Sequence, residues 1–164
     1  MLTRTFDSLL WLLAVIAAGI LAAITVLITI NVITRNFGLP GIYGALDAIQ
    51  YALMVATFLG APWVLSNNGH VKVDLITAAA PPNIRQILGH LVSIIGAASA
   101  GVLGWYGLQA VLASMGRGSM IRTSFVIPEW WMLSFVPLSM ALCVIVFLRR
   151  LVQPPVDDLK LSGL

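Results

Sequence analysis

Four stretches of this sequence carry no charged side chain: between Asp7 and Arg35, between Asp47 and Lys72, between Arg85 and Arg117, and between Glu129 and Arg149. Each approaches or exceeds the ~20 residues that a helix rising about 1.5 Å per residue needs to cross a hydrocarbon layer of ~30 Å. A segment crossing lipid finds no water for its amides and carbonyls, so it must close its hydrogen bonds within itself, as a helix does. The expected fold is therefore an all-α integral membrane protein, a single domain over residues 1–164 with four transmembrane helices near residues 9–33, 46–66, 87–112 and 130–148. Composition agrees. Charged residues make up 9% of the 164, against about 25% in soluble domains, too few to solvate the surface of a soluble fold.

The first apolar run is longer than the roughly 7–15 residues of a signal-peptide core, and no small-residue cleavage site precedes a polar start, so it reads as a retained span. Trp11, Trp63, Trp105, Tyr106, Trp130 and Trp131 lie near the expected span ends, where an apolar ring with a polar edge is stable. An even number of spans puts both termini on one side. That side holds Arg4, Lys72, Arg85, Arg149, Arg150 and Lys160, and the other only Arg35, Arg117 and Arg122. The bias predicts cytoplasmic N and C termini, with residues 67–86 also cytoplasmic and residues 35–45 and 113–129 facing outward. Residues 71–80, half apolar, read as a short interfacial helix on the cytoplasmic surface between spans 2 and 3. Pro81-Pro82 ends it, Asn83 is placed to cap the third span, and Pro128-Glu129 opens the fourth. Residues 153–164 read as a loose tail.

The spans contain no charge near their middles. Ion-coupled transport needs a group within the membrane for the ion to bind, and this chain offers none. His70 falls in a connection and His90 near a span end, so a haem-ligating pair is missing. His70 and Asp74 stand at i and i+4, but two ligands are too few for a metal, and His70 reads as a cap or loop lock. Cys143, the single cysteine, sits in an apolar run and reads as packing. The basic residues form no stripe for nucleic acid, and no nucleophile stands with a base. No catalytic, cofactor or metal site is expected, and the chain does not read as an enzyme.

Thr25, Thr29, Asn31, Gln50, Thr57, Ser93, Ser99, Gln109, Ser134 and Ser139 are the polar residues within the spans and read as hydrogen-bonding links between helices. On the third span Gly89, Ser93, Gly96, Ala100, Gly104 and Gly107 fall on one helical face with almost no side-chain bulk. Ala14, Ala18 and Ala22 make a shorter one on the first. Small faces admit close helix approach, either among the four helices or against another membrane protein. Arg117 and Arg122, in the outward loop, read as solvated charge or as a contact for a soluble partner.

Several segments taken together resemble the small membrane subunit of tripartite ATP-independent periplasmic (TRAP) transporters, the DctQ type. They are Phe58-Leu59-Gly60-Ala61, then Asn68-Gly69-His70 through Asp74, then the prolines before the third span. The Asn31 to Arg35 ending of the first span and the Thr123 to Pro128 stretch add to it. Asp47 stands where the family commonly has Glu. The resemblance covers about residues 5–152 and marks Arg35, Asp47, Gly60, Gly69, His70, Asp74 and Pro128 as motif positions. It implies a bacterial inner-membrane, multi-pass subunit with two partners, a large membrane subunit and a periplasmic binding protein. The large subunit would carry Na⁺ coupling and move an organic anion, in the chemical class of carboxylates, by an elevator motion. This chain would scaffold it. Two other readings stay open: an accessory or assembly subunit of another membrane complex, and an autonomous four-helix transporter.

Overall fold

The computed structural model describes residues 2–67 and 82–152. Four helices form its frame: α1 (Leu2–Asn36), α2 (Ala45–Ser66), α3 (Pro82–Arg117) and α4 (Glu129–Val152). All four are long and apolar enough to cross a membrane, and each expected span falls inside one of them. The interfacial helix expected over residues 71–80, with Gly69, His70 and Asp74, and the tail 153–164 lie outside the described residues. α1 and α3 run to 35 and 36 residues, about 50 Å of helix. Because α3 continues to Arg117, Trp105 and Tyr106 lie in its interior rather than at its end.

The outward loop expected over residues 113–129 is more ordered than the sequence suggests. After α3 the chain forms an antiparallel hairpin of β1 (Met120–Arg122) and β2 (Val126–Pro128). Ile121 pairs with Ile127 and Arg122 with Val126, and the β-branched Ile121, Val126 and Ile127 suit an extended backbone. α1 ends on a left-handed glycine, Gly38. Its amide bonds Arg35 O at 3.1 Å and the Leu39 amide bonds Thr34 O at 3.0 Å, the paired bonds that satisfy a helix's last carbonyls. α3 ends the same way at Gly118 and Ser119.

Helix packing runs in series: α1 on α2, α2 on α4, and α4 on α3. α1 and α3 are thus the flanks. α1 buries Leu10, Ala17 and Ile24, a seven-residue repeat that keeps one seam against its neighbour. Gly60 of α2 approaches that seam, with Ala17 Cβ 3.6 Å from where its own Cβ would lie. Ala18 and Ala22, read from sequence as part of a small face, are exposed.

The small face of α3 meets α4. The Phe147 ring covers Gly96, and Met140 Cβ and Val136 Cγ1 stand 3.2 Å from the Cβ positions of Gly104 and Gly107. Ser93 and Ala100 are buried on the same face. These contacts pair residues antiparallel, 96 with 147, 104 with 140 and 107 with 136. Among the described residues nothing stands within 4 Å of where a Cβ on Gly89 would lie. One core cluster, Leu10, Leu65, Ala100, Cys143 and Val146, draws a residue from every helix.

Five of the hydroxyls expected to link helices bond locally instead. Thr25, Thr29, Thr57 and Ser93 each donate to the carbonyl four residues back, and Ser134 to the carbonyl three back. In an apolar medium a donor takes the nearest acceptor, and the preceding turn always offers one.

At the end of the bundle opposite the hairpin, two adjacent arginines of α4 reach in different directions. Arg149 holds Asp7 of α1 through both carboxylate oxygens, at 2.5 and 3.1 Å, and lies 6.0 Å from the Phe6 ring centre. Arg150 donates to the Leu65 carbonyl at the end of α2.

Candidate functional site at the hairpin end

A second group of polar side chains that bond across elements lies where α1 ends, α2 begins and the hairpin folds back. α2 starts on Gly44, whose φ of 73° lies in the left-handed region and which provides no side-chain cap. Two features demand glycine there. The backbone is one that residues with a Cβ adopt at a cost, and the Phe125 ring lies 2.9 Å from where that Cβ would stand.

Three residues further, Asp47 turns its carboxylate toward the hairpin. Its Oδ2 accepts the Ser124 amide at 2.9 Å. One turn on, the Tyr51 hydroxyl shares a hydrogen bond of 3.1 Å with the Thr123 hydroxyl. Residues 44, 47 and 51 fall on one helical face. They meet the three consecutive residues of the hairpin tip, 125, 124 and 123. The base of the hairpin is tied separately. The Glu129 amide donates to Ser119 O at 3.1 Å, and Ser114, fully buried, donates its hydroxyl to Glu129 Oε2 at 2.9 Å. Pro128 ends β2 opposite Met120. With no amide to give, it closes the ladder immediately before α4.

Beside the tip lies an open cavity of about 450 Å³, lined by Asn31, Arg35, Ile42, Leu46, Asp47 and Ser124 among others. Arg35 comes from the last turn of α1. Asn31 Oδ1 accepts the Ile42 amide at 3.1 Å, holding the α1–α2 connection against α1. Two motif positions, Arg35 and Asp47, therefore share one cavity wall, while Gly60 lies away from it in the α1–α2 seam. Arg117 and Arg122 are exposed at this same end. Among the described residues no three His, Cys, Asp or Glu side chains come together to hold a metal. The chemistry of the arrangement is mechanical: a carboxylate on α2, engaged by a backbone amide, fixes the hairpin on the start of that helix.

The family model of the DctQ component of tripartite ATP-independent periplasmic transporters matches residues 24–154. This chain belongs to the DctQ family. The match runs from within α1 to the end of α4, so the small face of α3, the hairpin and its seat on α2 all belong to the DctQ-like part. The DctQ assignment, with four helices able to span a bilayer, makes this a multi-pass membrane protein and a small subunit of a transporter of that type. No curated protein matches the chain.

Within this DctQ-family chain, sequence reading singled out Asp47 and the Thr123 to Pro128 stretch but did not join them, and Tyr51, Ser124 and Phe125 carried no individual signal. A hydrogen bond across 77 residues of chain leaves no local periodicity. Glu129 read only as an acid suited to a helix start, and its bond to Ser114 was likewise out of reach.

Proposed function

We propose that this small TRAP subunit scaffolds a large Na⁺-coupled elevator subunit during uptake of an organic anion, in the class of carboxylates, delivered by a periplasmic binding protein. In this reading the termini are cytoplasmic, the membrane is the bacterial inner membrane, and the hairpin end faces the periplasm. The observation that carries it is the division of polar and apolar work in the helices. Their middles hold no charge, and the hydroxyls of Thr25, Thr29, Thr57, Ser93 and Ser134 are engaged by carbonyls of their own helices, so the described spans do not supply the charged group that a coupling ion binds within a membrane. The flanking helices meanwhile present apolar outer faces, such as Leu21, Val26, Ile95 and Val102. These suit lipid or a larger membrane partner.

Arg117 and Arg122 fit the same scheme as contacts for the binding protein. Both are exposed at the end that carries the hairpin, where charge steers a soluble partner to its dock.

The test is reconstitution. Proteoliposomes holding this chain alone should take up no solute. Those holding it with the large subunit should import when the binding protein and a Na⁺ gradient are supplied, and the two membrane subunits should co-purify. Solute accumulation by the isolated chain would sink the proposal.

A further inference from the structure

A hairpin whose strands are three residues each is marginal on its own, since stable sheets need more strands or a packed face. Here the whole tip is seated instead. Thr123, Ser124 and Phe125 each meet their own residue on one face of the first turns of α2: Tyr51, Asp47 and Gly44. The central tie uses an ionised acceptor, the stronger kind of hydrogen bond.

The hairpin itself buries little in return. Val126 is 70% and Met120 51% exposed, and Arg122 is exposed between them on the strand pair. Exposed apolar side chains beside an arginine make up a surface composition suited to docking. A docking surface gains apparent affinity in proportion to the fraction of time it holds the competent shape.

The geometry points to Asp47 as a positioning residue: its carboxylate holds the hairpin tip on α2 so that Arg122, Met120 and Val126 stand ready for the soluble partner, without touching solute or ion itself. This rests on the reading that a periplasmic binding protein docks at the hairpin end.

Two measurements on the assembled complex in liposomes test it. A nitroxide attached through Val126→Cys, in a Cys143→Ala background, reports hairpin motion. Uptake by unlabelled complexes is followed against binding-protein concentration. With Asp47 intact the label should be immobilised. Asp47→Ala should mobilise it and raise the half-saturating binding-protein concentration about tenfold, the effect of reducing the competent fraction to about a tenth, while the maximal rate changes less than about twofold. Asp47→Asn, which keeps an acceptor oxygen, should recover part of both. Tyr51→Phe removes one hydroxyl tie only and should shift both in the same direction by a smaller factor, so it decides the matter if Asp47→Ala fails to assemble.

An immobile label in these variants overturns the seat. A mobile label with unchanged half-saturation overturns the positioning role, yet leaves the subunit reading intact because uptake persists. Absence of uptake in the unsubstituted complex would fail the subunit reading, and the nitroxide spectra would still decide whether Asp47 holds the hairpin.

Discussion

At Gly96 the ring of Phe147 occupies the space a Cβ would need, whereas at Gly101, on the same helix, nothing stands within 4 Å. The two look alike in the sequence. What separates them is the helix that arrives from elsewhere in the chain. Gly96→Val should therefore force α3 from α4 and cost about 1–3 kcal/mol, as overpacking of a tight interface does. Gly101→Val should cost a few tenths at most, since its side chain would meet open space. The buried thiol of Cys143, in the core between these helices, supplies the measurement: maleimide should label it faster in Gly96→Val and at the parent rate in Gly101→Val. Residue spacing thus made the small face of α3 legible, because small residues three and four apart must share a side. It could not say which side chain of α4 each of them would meet, because that depends on how α4 is set against α3.

The last turn of α4 joins three elements. Arg149 and Arg150 count in the sequence only as charges that set orientation. In the structure Arg149 grips the start of α1 and Arg150 the end of α2. The two ties differ in worth. Asp7 and Arg149 are 54% and 33% exposed, so their coupling in a double-mutant cycle should be no more than about 1 kcal/mol and should shrink with added salt. Arg150, half-buried, donates to a carbonyl in the last turn of α2, and a hydrogen bond from a charged donor is the stronger kind. Arg150→Ala removes that charged donor and should cost about 1.5–3 kcal/mol. Thermal unfolding in detergent should rank Arg150→Ala below Asp7→Ala, and the Arg150→Ala deficit should be insensitive to salt. An inverted ranking would show that the α2 tie carries little. The helices joined here were all readable from charge-free runs, but the ties were not, since adjacent arginines on a helix end carry no mark of which neighbour each will meet.

Across the whole molecule, packing in the order α1, α2, α4, α3 leaves the first and third helices on the flanks. The apolar windows of α1 and α3 are 11% buried, against 17% for α2 and α4, so the flanks hold more surface for lipid or partner. Trp11 and Trp105 are 59% and 62% exposed, while Trp63 packs against the core cluster. In single-tryptophan variants of the isolated chain, brominated lipid should quench Trp11 and Trp105 more strongly than Trp63. Adding the large subunit should protect at least one flank, and equal quenching at all three positions would contradict this helix order. What the sequence by itself determined is the number and placement of the helices and the membrane they suit. The reason is local: lipid compels each span to satisfy its backbone within itself, so length and absence of charge suffice. The tertiary structure alone decided that the glycine face of α3 is taken up by α4, that the loop between α3 and α4 is a hairpin, and that Asp47 seats its tip. Those outcomes depend on groups brought together from distant parts of the chain, and the spacing of residues along one helix contains no record of what another helix or loop will bring to it.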